Sequence, residues 1–280
     1  MDHNRIDRTF IVSATGLRDF DTLQGAINAA HSVAPTADLP YQVLVMPGVY
    51  HESLVLYDHV HIKGCGPNPA VVLEYENAGV IEKMATCKIE NLTIIRQSDD
   101  AGTRFVARIG PAVTAGVAGA SLTLRHISFG SESSPGQQFL SLVAGTVTLE
   151  DCVLWGGFYE AEVIKQAAGT SLHAWRCRVI CKTDTSSPAR GVIHVAGGEM
   201  NYYHCRIEAQ SAASIYGVQV SVDPGMCRWL HCTFRGSNGA SGFANTSGSS
   251  VVATFGRCAI NVARTGAYSG LADFVVNTGV

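Results

Sequence analysis

Three acidic residues stand at similar distances behind two cysteines: Glu160 and Glu162 follow Cys152 by 8 and 10 residues, and Asp184 follows Cys177 by 7. Asp99 and Glu132 lie at comparable offsets behind Asn91 and His126 and continue the row. If successive turns of a repeating chain brought such carboxylates together, like charges would hold one protonated while its neighbour stayed ionised. That acid and base pairing is what cleavage of a glycosidic bond, or nucleophilic attack on an ester, requires. His194, in RGVIHVAGG, adds an imidazole base close to the cation of Arg190. Tyr202, Tyr203, Trp155, Trp175 and Trp229 fall on strand faces near the repeat, and the outward ones among them, Tyr203 included, could stack on a sugar if they share a face. A plainer reading stands beside each: solvated turn acids that keep strand edges soluble, a hydrogen-bonded strand histidine, and aromatics that merely cover a coil.

These residues are positioned by a repeat. Asn91, His126, Cys152, Cys177, Cys205, Cys232 and Cys258 recur in similar settings, at intervals of 35, 26, 25, 28, 27 and 26 residues. Apolar residues alternate up to a polar pair and resume after it, as in Val147, Leu149, then Glu150 and Asp151, then Cys152 and Leu154. This pattern predicts two short strands joined by a sharp bend. Recurring strands without intervening helices, separated by loops of variable length, predict an all-β, single-stranded right-handed parallel β-helix. Equivalent side chains then stack in rows about 4.8 Å apart, and the cysteines form an inward ladder. Parallel Cβ vectors suit packing better than disulfides, and the grouping of His173, Cys177 and Cys181 has no zinc-like spacing. Asn91 and His126 are expected to occupy the same ladder position in earlier coils.

The remaining bounds are compositional. The 280 residues are 46% hydrophobic, with no divider, so 1–280 is expected to be one domain. Within it, 10–36 reads as an opening strand and capping helix, 41–262 as coils, and 263–280 as the C-terminal end. In DTLQGAINAAH, Asp21 reads as the N-cap and Gln24 as its reciprocal partner, while Leu23, Ile27 and Ala30 share one face. YQVLVMPGVYHESLVLYDHVHIKGCG then reads as three strands, with corners at Pro47–Gly48 and at Gly64 and Gly66. Formal net charge is -3, 15% of residues are charged, and no run of Lys or Arg exists. Nucleic acid is therefore not expected as a partner. MDHNRIDRTF lacks an apolar signal core and no stretch could span a membrane, which predicts a cytoplasmic or virion-associated protein, or the mature form of a secreted one. Nine cysteines without a signal favour reduced thiols. No cofactor or metal motif is present. The short apolar end after Cys258 predicts a homo-oligomer through the C-terminal end.

DFDTLQGAINAA, followed by VLVMPGVYHESLVL and HVHIKGCG, resembles the opening of pectinesterases and the wider pectin-lyase-like right-handed parallel β-helices. There a helix beginning after Asp-Phe precedes a Pro/Ala-Gly-x-Tyr-x-Glu strand. The resemblance implies this fold and a polysaccharide ligand. The family's catalytic segments are replaced: Tyr159 stands where an Asp would be, Asp184 keeps the second matching offset without its Phe-rich context, and no Arg-x-Trp follows. Three functions stay open: glycan recognition with or without processing, a structural role in a virion or surface assembly, and an enzyme of small metabolites.

Overall fold

The structure is a computed structural model. It describes residues 8–16, 18–67, 70–75, 81–83, 85–96, 105–109, 119–131, 138–142, 144–158, 164–167, 169–183, 191–211, 216–220, 226–236, 241–245, 251–260, 263–265, 268–269 and 272–275. The chain winds as a right-handed parallel β-helix in which each full coil contributes three strands, one to each of three faces. In the coil around Cys177 these are Ser171–Trp175 on the first sheet, Arg178–Thr183 on the second and Gly191–Ala196 on the third. Every ladder is parallel, and side chains alternate in and out, so one residue per coil extends each row. The sequence pattern showed only the first two strands and their bend. The third strand follows loops of unequal length, which hides its period.

The bend is one residue long. Asn91, His126, Asp151, Arg176, His204, His231 and Arg257 all lie in the left-handed region, with φ between 52° and 60°. Such backbone costs a non-glycine residue about 1–2 kcal/mol. Ladder hydrogen bonds offset it: the amides of His126, Asp151, Arg176 and His204 donate to the next coil's carbonyls at Glu150, Trp175, Tyr203 and Leu230, each at 2.9 Å. Asn91 and His126 therefore belong to this outward corner and not to the thiol ladder. The inward ladder, one residue later, runs Leu92, Ile127, Cys152, Cys177, Cys205, Cys232 and Cys258, all buried. The early coils fill it with aliphatic side chains where the sequence alignment, off by one, placed polar ones. Asn91 Nδ2 instead donates to Gly64 O and Gly66 O at 3.0 and 2.6 Å, and a Cβ on Gly64 would collide with Asn91 O.

The thiols are free and buried. Each donates within the stack: Cys152, Cys205, Cys232 and Cys258 reach carbonyls of the preceding coil at Leu124, Ala174, Tyr202 and Trp229, at 3.2–3.5 Å. Hydrogen bonding to neighbouring thiols, and then burial, push Cys177 and Cys232 far above the ordinary thiol range. Burial likewise raises Cys87 to about 12. Thiols so held stay protonated and packed.

At the N-terminal end, α1 (Leu23–Ser32) buries Leu23, Ala26, Ile27 and Ala30 over the first coil. Its N-cap is Thr22, without a side-chain cap bond, so neither Asp21 nor Gln24 forms the expected box. The orphan amides are satisfied from outside: Leu23 N and Gln24 N donate to the two carboxylate oxygens of Glu52 at 2.7 and 2.8 Å. Tyr50, two residues earlier, donates its hydroxyl to Met46 O at 2.8 Å and accepts from Ala14 N at 3.3 Å. The Tyr-x-Glu of the opening motif thus ties strand, corner and helix together. The stretch read as three strands holds four, Tyr41–Val45, Gly48–His51, Leu54–Val55 and Val60–Gly64, the extra one being the two-residue start of the third sheet.

Candidate functional site

Two outward rows carry most of the described surface chemistry. On the first sheet, strand register places Lys63, Glu90, Arg125, Glu150, Trp175, Tyr203 and Leu230 in one line along the helix axis. Its charged half alternates in sign and pairs: Arg125 spans Glu90 at 3.8 Å and Glu150 at 3.5 Å, and Lys88, two residues before Glu90 on the same strand, meets Glu90 at 2.8 Å. Its aromatic half is a stack. Trp175 and Tyr203 lie 5.5 Å apart at 11°, with His173 5.8 Å from Trp175. Asn201, 3% exposed, bridges beneath them, its Nδ2 meeting His173 Nδ1 at 3.1 Å and donating to Glu199 Oε1 at 2.9 Å. Trp175 and Tyr203 do share an outward face, but each spends a ring face on the other and neither is fully exposed. Tyr202 and Trp229 point inward, fully buried and stacked at 6.3 Å.

Trp155 differs from all of these. It lies on the second sheet and is 40% exposed. Its coil-to-coil neighbour is Gly130, where an added Cβ would fall 2.7 Å from Cζ2 and 2.8 Å from Cε2 of the indole. The missing side chain is the seat of the ring, and Ile180 holds the next position along the row. Any β-carbon at Gly130 would lift the indole away.

Two coils from Trp155 along the same row, beyond Ile180, Glu208 is buried between two arginines. Arg178 Nε and Nη2 donate to its two oxygens at 3.1 and 3.4 Å, and Arg206 Nε contacts Oε1. One coil corner earlier, Arg176 grips both oxygens of Asp151 at 2.6 and 2.7 Å. That hydrogen bond, with the cation behind it, holds the Asp151 carboxyl below the usual carboxylate range.

Of the residues singled out from the sequence, Tyr159, Glu160, Glu162, Asp184 and Arg190 lie outside the described residues, as do Asp99 and Glu132. His194 lies in the third-sheet strand Gly191–Ala196, opposite Lys165 and Gln219 in register. Tyr203 is found as described above. Sequence reasoning missed Gly130 as the seat of Trp155, and Glu208 with its two arginines. The signal was available in the repeat: residues 25 apart, such as Gly130 and Trp155, are vertical neighbours once the coil length is known. Among the described residues no group of three or more His, Cys, Asp and Glu is placed to hold a metal, and no helix is long and apolar enough to cross a membrane.

No protein-family model matches the chain, and no curated protein matches it. Solved structures do. A pectin methylesterase from carrot is similar over 96% of this chain and 84% of its own, with a TM-score of 0.62 at 11% identity. Pectin methylesterase PemA from Erwinia chrysanthemi is similar over 92% and 80%, with a TM-score of 0.54 at 13% identity. A pectin methylesterase in complex with a hexasaccharide gives 0.55 at 12% identity over 92% and 80%. The likeness shows the fold, a right-handed parallel β-helix.

Proposed function

We propose that this β-helix recognises a polysaccharide or other glycan along the outward face of its second sheet. The observation that carries the reading is Trp155, an indole 40% exposed and seated on a glycine. An amphipathic ring held flat against backbone is suited to the apolar face of a sugar, and Arg178 nearby supplies donors for its hydroxyls. A solved protein of the same fold is in complex with a hexasaccharide, which supports a sugar chain as ligand for the scaffold. The reading is one of binding. Among the described first-sheet acids, Glu90 and Glu150 are held apart by Arg125, so they do not form an acid and base pair. Processing would rest on Glu160, Glu162 and Asp184.

Tryptophan fluorescence titration with neutral and acidic hexasaccharides tests this. Trp155→Ala is expected to weaken binding at least tenfold, while Tyr203→Ala leaves it within about twofold. Undetectable saccharide binding by the intact protein, together with sedimentation as a discrete multimer, would replace the glycan reading with that of an assembly component.

A further inference from the structure

We propose that the junction between the coil opening at Val60 and the coil opening at Cys87 is a proton-sensitive clasp. His61 holds the later coil while its imidazole is neutral and lets it go in mild acid. The clasp does not depend on the glycan reading above.

In the later coils, the amide that opens each first-sheet strand donates to a carbonyl of the preceding coil: Thr146 to Ala120 at 3.0 Å, Ser171 to Gly145 at 3.0 Å and Glu199 to Thr170 at 2.8 Å. At the Cys87 coil, titratable side chains take the place of carbonyls. Thr86 N, just before the strand Cys87–Glu90, donates to Asp58 Oδ1 at 2.6 Å, and Lys88 N donates to His61 Nδ1 at 3.2 Å. The register thins accordingly. Val60–Gly64 and Cys87–Glu90 pair only at Ile62 with Ile89 and at Lys63 with Glu90, whereas Cys87–Glu90 pairs over four residues with the strand beyond it. On the third sheet the same junction has one pair among the described residues, Ile81 with Ala107, while the second sheet keeps four, from Val72 with Thr93 to Tyr75 with Arg96. A junction thin on two faces and full on the third can open by pivoting on the second sheet. Each coil contacts only its neighbours, so the rest of the solenoid stays closed.

A backbone amide can only donate, so the Nδ1 that meets Lys88 N carries a lone pair, and the neutral ring keeps its proton on Nε2. Protonation puts a hydrogen on Nδ1 and leaves donor facing donor. The groups around the half-buried ring come from every strand beside it. Gln42, its register partner on the preceding strand, is neutral. Asp58, His59 and Lys63 belong to its own turn and strand, Lys88 and Glu90 lie across the junction, and Thr123 and Arg125 stand one coil beyond. Burial, then Lys88 and His59, push the His61 imidazole below its ordinary range, and Glu90 opposes them. Glu90 is itself engaged by Lys88 at 2.8 Å and Arg125 at 3.8 Å. An imidazole whose folded pKa lies below its unfolded value near 6.5 supports the fold fully above that value. That support is lost as pH falls from there through the folded pKa, which is the direction in which the clasp opens.

Residue-resolved hydrogen exchange of the intact protein, corrected for the intrinsic effect of pH on exchange, tests the clasp. Between about pH 7.5 and about pH 5 the protection of the Lys88 amide is expected to fall about tenfold. The amides of Val153 and Ser171, held by the carbonyls of Ile127 and Gly145, should change by less than about twofold. His61→Asn supplies an acceptor that does not titrate and should keep Lys88 protected at both pH values, whereas His61→Phe should leave it unprotected at both. Imidazole nitrogen spectra of the intact protein need no substitution: His61 Nδ1 should be unprotonated at about pH 7.5 and gain its proton below about pH 6.5. Lys88 protection that does not change with pH overturns the clasp, as does a protonated Nδ1 at about pH 7.5. A fall that persists in His61→Asn also overturns it, because the sensor is then another group. An equal fall at Val153 and Ser171 does so too, because acid then loosens the whole solenoid and not this junction.

Discussion

The coils before Trp175 and those from Trp175 onward follow the same backbone plan and use it for different chemistry. On the outward first-sheet row, Lys63, Glu90, Arg125 and Glu150 alternate in sign, and the next residues are Trp175, Tyr203 and Leu230. The inward column changes with it: Ile62, Ile89, Leu124 and Leu149 give way to Ala174, Tyr202 and Trp229. Ala174 is the step between the two. A small residue below Tyr202 leaves room for the larger rings that follow, as close packing demands. At the corner the row passes from Asn91 and His126, through the paired Asp151, to Arg176 and Arg257. In the early coils charge is answered within the row; in the late coils aromatic mass is buried inside and cations gather outside. A solenoid permits this because each coil contacts only its neighbours, so composition drifts along the axis while the hydrogen-bond ladder stays unchanged.

The largest expected consequence lies inside. Trp229→Ala should cost about 3–5 kcal/mol, against about 0.5–1.5 kcal/mol for Ile89→Val in the same column of an early coil. Denaturant unfolding midpoints measure both. Equal costs would mean that the late column is no better packed than the early one. A smaller effect is expected at the thiol ladder. Cys205→Ser should cost about 1–2 kcal/mol, because the hydroxyl inherits carbonyl partners at Ala174 and Tyr203 but is more costly to bury than a thiol. Native-state labelling with a thiol reagent should leave the five stacked cysteines unmodified until global unfolding. Prompt modification of Cys177 through Cys258 with Cys152 left intact would show the late coils to open independently of the early ones.

How far these contrasts could be read beforehand depended on sequence distance. The coil period, the inward cysteines and the helix face of Leu23, Ile27 and Ala30 were legible because each is a short-range apolar pattern. The corner was legible as a bend but misaligned by one in the early coils, since Asn91 and His126 look like ladder residues when only polarity is compared. Only φ distinguishes them from Leu92 and Ile127. The helix cap was misread because its carboxylate comes from Glu52, 29 residues after Leu23. Trp155 and the arginines were least legible. The pairing of Trp155 with Gly130, and of Arg178 and Arg206 with Glu208, appears only when side chains of adjacent coils are set one above another.

The smallest effect is at the point where the two regions meet. Asp151 accepts both hydrogen bonds from Arg176, and its carboxyl is held below the usual range by those bonds and by the cation. A carboxylate whose folded pKa lies below its unfolded value near 3.9 stabilises the fold fully above that value. The contribution is lost as pH falls through the lower, folded pKa. Arg176 is mostly exposed and Asp151 partly so, so solvent screens the pair and Asp151→Asn should cost less than about 1 kcal/mol at pH 7. The difference from the parent protein should shrink in unfolding curves recorded as pH falls below the ordinary carboxylate range, and a difference that persisted unchanged into strong acid would show that it does not come from the carboxylate's charge.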